Sequence, residues 1–193
     1  MAGVPDPAQP IFFYDLGNPA CYLAAEEVMG ALPVVPEWEP VLGAAIAADA
    51  GASASLDREL VERHAAAQGL QPLRWPSAWP PETELAMRAA TYAKHVGRAV
   101  AFSLAAFRQA FAGGRDLGDP DTVLIAAAAC EMHPTAVLKG IELRSVRSAL
   151  QAANERARSA GVDSLPAICA AGSVFQSEDA VHQAARALGG AEP

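Results

Sequence analysis

The sequence predicts an α/β domain: one small mixed sheet assembled from two separated segments, with a long helical block between them. Three observations carry this. The chain opens with an apolar-aromatic run, a capped helix and a second short run, which reads as β-α-β. Helical spacing broken by Gly and Pro fills the middle. At Gly161 the periodicity changes again, to two short apolar runs and a final helix, which reads as β-β-α. A parallel opening unit and a closing hairpin with its helix combine into one sheet covered by helices.

The elements follow in order. The first ten residues are Pro-rich and read as a loose tail. Residues 11 to 17 (IFFYDLG) predict a strand buried on both faces. Asn18 suits an N-cap and Pro19 the first helical position, so a helix runs on through ACYLAAEEVMGAL. Pro36 ends the next loop, and WEPVLG reads as the second strand. Residues 56 to 68 have helical spacing closed by Gly69. The segment 70 to 81 (LQPLRWPSAWPP) holds four prolines and two tryptophans, so it predicts an ordered loop rather than a helix or central strand. Helices are expected at about 83–96, 99–112 and 120–131, then a short helix running into a longer one over 134–159. Residues 164 to 175 read as two strands joined at Ala171-Gly172, and a last helix spans about 178–188. The sheet-forming parts are thus 10–50 and 160–190, and the helical insertion is 51–159.

Composition bounds the function. Of 193 residues, 52% are hydrophobic and 19% charged, which suits a folded core rather than disorder. A net charge of −8 argues against nonspecific binding to nucleic acid or to an anionic membrane. No apolar run approaches the roughly 18 residues of a membrane helix, and MAGVPDPAQP lacks the features of a secretory signal. The cytoplasm is the expected location. Cys21, Cys130 and Cys169 are too widely spaced for a zinc knuckle or a disulfide framework, and read as reduced thiols. His64, His95, His133 and His182 lack the spacing of a metal site.

The informative chemistry is Asn18-Pro19-Ala20-Cys21, at the first strand-helix junction. A helix N-terminus offers unpaired N–H groups and a field that favours an anion. A cysteine there can be reactive. In a C-x-x-C motif the first cysteine attacks and the second resolves; here asparagine holds the attacking position. Its amide can donate a hydrogen bond to a thiolate brought by another molecule. The structural alternative is that Asn18 is an ordinary cap and Cys21 a buried spacer. Leu165-Pro166 is the second signal: a proline entering a strand can hold a cis bond, or be a plain trans strand start. Arg74 and Trp75 could bind a substrate, or be a solvent-facing arginine and a packed loop tryptophan. Arg88 could face the same cleft or form an ion pair.

The stretch FFYDLGNPACYLAAE resembles the opening of the DsbA-like family, in particular the branch of 2-hydroxychromene-2-carboxylate isomerases and kappa-class glutathione transferases. In that branch a motif like YDxxSPYxYLA places serine where Asn18 stands here. Pro19 and Leu23-Ala24 match, and Cys21 falls on the second cysteine of disulfide-forming relatives. WEPVLGAAI, PLRWPSAWPPETELAMRAATYA, FRQAFAGGRDLGDPDTV and Ser164-Leu165-Pro166-Ala167 continue the resemblance over roughly residues 11 to 188. It implies an α/β thioredoxin-like fold with an inserted all-helical subdomain. It also implies glutathione or another low-molecular-weight thiol as cofactor, held by the backbone of Leu165 before a cis-Pro166. Asp179 would reach the cofactor's amino group. A small aromatic substrate and a homodimer are further implications. The family's FWGQDRL-like segment reads here FQSEDAV: Phe175 and Asp179 remain, while Gln176, Ser177 and Ala180 replace tryptophan, glycine and arginine.

Three functions are expected from these residues: a thiol-dependent isomerase in which Asn18 orients the cofactor; a thiol-disulfide oxidoreductase using Cys21 alone; and a non-catalytic binding protein with a thioredoxin fold.

Overall fold

The computed structural model describes residues 9–47 and 57–189. The expected loose tail lies almost wholly outside them, as does Leu56 at the start of the second expected helix.

Four strands form one mixed sheet in the order β2-β1-β3-β4. β1 (Ile11–Tyr14) pairs parallel with β2 (Glu37–Pro40), and α1 (Pro19–Ala31) connects them. β3 (Ala167–Ala170) runs antiparallel to β1, with Phe12 opposite Ile168, and β4 (Ser173–Gln176) runs antiparallel to β3. The β3–β4 turn is Ala171-Gly172, with φ of +50° and +74°. Two successive positive φ values match the right-handed twist of a two-residue hairpin, which is why glycine serves there. The sheet is therefore built from β-α-β and β-β-α segments, as expected.

Between them lie α2 (Gly43–Ala47), α3 (Arg58–Ala67), α4 (Glu84–His95), α5 (Ala99–Phe111), α6 (Pro120–Ala129), α7 (Pro134–Gly140) and α8 (Arg144–Ser159); α9 (Ala180–Ala187) closes the fold. Two expectations need correcting. The first strand stops at Tyr14, and Asp15 to Gly17 form the loop into α1. The second stops at Pro40, and Gly43, expected as strand, opens the unanticipated α2.

The period-2 alternation of β1 divides the core. Phe12 and Tyr14 face the larger cluster, with Trp38, Phe107 and the buried faces of α1, α4, α5 and α6. Phe13 faces the smaller one, with Val41, Ile46 and the Ala153–Ala157 stripe of α8. Tyr14 places its hydroxyl 2.6 Å from Ser103 Oγ on α5, and the buried Glu39 of β2 pairs with Lys94 on α4 and Arg156 on α8, so polar contacts tie the sheet to the helical insertion. Among the described residues no helix is long and apolar enough to cross a membrane.

Candidate functional site

The site lies where the C-terminal end of β1 meets the loops before β3 and after β4. Asp15 organises the first of these. Its carboxylate is buried and accepts from the Gly17 N–H (2.8 Å) and the Gly43 N–H (2.6 Å). Burial pushes the Asp15 pKa up, and those two N–H groups oppose the shift. A Cβ on Gly17 would collide with Thr83 Cγ2 and Pro81 Cγ, so the β1–α1 loop and the entry to α4 are packed backbone to side chain.

Asn18 caps α1. Its Oδ1 accepts from the N–H groups of Ala20 (2.9 Å) and Cys21 (3.3 Å), which satisfies two donors that a helix leaves orphaned. Pro19 has no N–H to satisfy. The Asn18 Nδ2 donates to the Leu165 carbonyl at 3.3 Å, tying α1 to the loop before β3. The second Nδ2 hydrogen has no acceptor among the described residues.

Cys21 sits one turn further in, with 0% exposure. Burial raises its thiol pKa far above the ordinary value. A nucleophilic thiol needs access and a lowered pKa; Cys21 has neither. Cys169 is only partly buried, and burial raises its pKa too.

The Leu165–Pro166 peptide bond is cis, and this decides between the two alternatives the sequence leaves open. Among the described residues the Leu165 N–H donates to no protein acceptor. The turn before it is held by Gln176, whose Oε1 accepts from Asp163 N–H (2.8 Å) and Ser164 N–H (2.9 Å) and whose Nε2 donates to the Gly161 carbonyl (3.3 Å).

A cleft of about 480 Å³ opens between these parts. Asn18 and Ala20 form one wall and Leu165-Pro166 the floor. Ser177, Glu178 and Asp179 form the opposite wall. Ser177 has φ of +102°, a conformation costly for any residue with a Cβ. Asp179 precedes α9 but caps none of its N–H groups. The structure thus brings together Asn18, Leu165, Pro166 and Asp179.

It does not bring Arg74 or Trp75 to that cleft. The Trp75 Nε1 donates to Glu62 Oε1 (2.7 Å), and its ring packs on Trp79 and Phe111 with the Arg58 guanidinium 4.8 Å from its centroid. Arg74 is exposed on the same loop, its N–H bound to the Phe111 carbonyl. Arg88 pairs with Glu84 one turn earlier on α4. Sequence reasoning missed the roles of Asp15, Gln176 and Glu178. For the last two the signal lay in the altered segment FQSEDAV, where each departure from the family pattern is a residue at the cleft or beside it.

Sheet order, the inserted helices and a cis-proline opposite a helix N-terminus define the class: a thioredoxin-fold domain. Residues 11–189 match the DSBA-like thioredoxin domain, and the chain belongs to that family. Among solved structures, it resembles a 2-hydroxychromene-2-carboxylate isomerase with a TM-score of 0.81 at 14% identity, covering 93% of this chain and 94% of that one. It also resembles a probable DsbA oxidoreductase from Streptomyces coelicolor, with a TM-score of 0.73 at 18% identity, covering 96% and 92%. No curated protein matches the sequence at a significant level.

Proposed function

We propose that this protein is a thiol-dependent isomerase related to 2-hydroxychromene-2-carboxylate isomerase. The observation that carries the reading is the cleft joining Asn18, the Leu165 backbone and Asp179, with the only cysteine of the tetrad fully buried and outside its lining. A small thiol fits the donor set: the free Leu165 N–H and one Asn18 amide hydrogen point to hydrogen bonding with sulfur, and Asp179 to an ammonium group. When bound, such a thiol supplies a reversible nucleophile for an unsaturated aromatic substrate. The chain's own part is to orient and stabilise. Asn18 holds the end of α1 against Leu165, so the donors converge without reorganisation. The positive end of α1 contributes a field of about half a charge. We assign the protein to the cytoplasm, where its three unpaired cysteines stay reduced, and to a homodimer by family likeness.

The test is thiol-dependent turnover of 2-hydroxychromene-2-carboxylate. Asn18→Ala is expected to lose it by on the order of 10²-fold, as when one preorganised donor is removed, while Cys21→Ala retains it. Loss in Cys21→Ala at full thermal stability, with activity kept in Asn18→Ala, would overturn the role given to Asn18, and a mixed disulfide trapped on Cys21 would favour the oxidoreductase reading instead. One observation favours a non-catalytic binding protein as the second reading: Asn18 already spends its oxygen on the cap and one hydrogen on Leu165. Binding of a thiol without turnover of any added substrate would establish it.

A further inference from the structure

The charge of the cleft narrows which thiol it can hold. Glu178 and Asp179 present two full carboxylates, and among the described residues no Lys, Arg or His lines the cleft. The segments outside the described residues, 1–8, 48–56 and 190–193, contain no Lys, Arg or His at all. Asp179 is exposed and caps none of the N–H groups of α9. Glu178 has one basic neighbour, His64 Nδ1, at 3.5 Å. Glu27 adds a third carboxyl behind this wall. Burial holds its pKa above the ordinary value, with His182 opposing and the charge of Asp179 reinforcing that shift.

The opposing field comes from the N-terminal ends of α1 and α9, each worth about half a positive charge. At α1 the first N–H groups are already taken by Asn18 Oδ1. Two half charges do not offset two full ones, so the cleft keeps a balance of about one negative charge. A carboxylate bound there would sit well inside the screening length of about 8 Å from its like charges.

Building on the thiol-binding reading above, we infer that the thiol accepted by this cleft is cationic, carrying an amine that faces Glu178 and Asp179 and no carboxylate. Glutathione, with two carboxylates and one ammonium, does not meet that description. The arginine that the family segment would place at residue 180 is alanine here, buried at the start of α9, so that cation is missing from the rim.

The experiment is an NMR titration of the full chain at about pH 7.5, a unit above the ordinary imidazole value. The probes are cysteamine, 3-mercaptopropionate and glutathione, read at the Asn18 side-chain amide and the Leu165 backbone N–H. Cysteamine is expected to bind about tenfold more tightly than either anionic thiol. In the exposed double variant Glu178→Gln, Asp179→Asn, that preference is expected to fall to within about twofold, with melting temperature unchanged. Equal or tighter binding of 3-mercaptopropionate, or a preference that survives in the double variant, overturns the inference and leaves the thiol reading standing. The thiol-blocked 2-(methylthio)ethylamine separates the two. If it binds as well as cysteamine, the thiol reading fails while the preference for a cation holds. If no probe binds, both fail.

Discussion

The two walls of the cleft are built in opposite ways. In the β1–α1 wall most polar groups are paired within the chain: Asp15 holds two backbone N–H groups, Asn18 caps its helix, and Cys21 is fully buried. The β4–α9 wall is strained and unsatisfied: Ser177 sits at φ +102°, and Glu178 and Asp179 face outward, with His64 their only protein partner among the described residues. Strain and unpaired charge persist only where the surroundings impose them, and they cluster at functional sites. On the proposed function, the first wall positions the ligand and the second selects it.

This difference breaks most visibly at Asp15. Asp15→Ala leaves the buried N–H groups of Gly17 and Gly43 without their acceptor, and should cost roughly 2–4 kcal/mol in urea unfolding. On the strained wall the sign reverses. Ser177→Gly removes a Cβ from a positive-φ position and should stabilise by about 1 kcal/mol, measured in the same way. Asn18→Ala should cost about 1 kcal/mol through the lost cap, whereas Asn18→Ser, which restores a capping oxygen, should recover most of it. Smallest of all, Asp179→Asn should leave stability within about 0.5 kcal/mol while weakening the binding of amines.

The pH dependence follows from the raised carboxyls. Asp15 and Glu27 have folded pKa values above those of the unfolded chain, so between the ordinary value and the raised one the native state binds more protons. Their contribution to stability is present at low pH and falls as pH rises from about 4 through the raised values. A Glu27→Gln variant should show a shallower decline over that window in pH-dependent denaturation.

Much of the fold was legible because its signals are local. The Asn18-Pro19 cap, the Ala171-Gly172 turn and the proline-rich break before α4 are each fixed by the backbone chemistry of a few residues. A single mixed sheet followed from joining a β-α-β and a β-β-α unit, while its strand order β2-β1-β3-β4 came only with the structure. At the site, the convergence of Asn18, Leu165 and Asp179 came from resemblance, since no periodicity brings residues 147 apart to one hydrogen bond. What stayed hidden was long-range. Trp75 could not be placed from its own segment, because Glu62, Arg58 and Phe111, which hold it, lie on α3 and α5. Gln176 reads as a lost tryptophan in sequence, yet it pins three backbone groups of the turn that carries Leu165. The burial of Cys21 likewise depends on helices far away in the chain.

On the proposed function, a ligand brings sulfur to this cleft and Cys21 does not supply it. A crystal structure of the protein soaked with cysteamine tests it most directly. The expected result is the thiol sulfur within hydrogen-bonding reach of Asn18 Nδ2 and the Leu165 N–H, its amine against Glu178 and Asp179, and Cys21 unmodified. A mixed disulfide on Cys21, or a cleft left empty with cysteamine bound elsewhere, would contradict it.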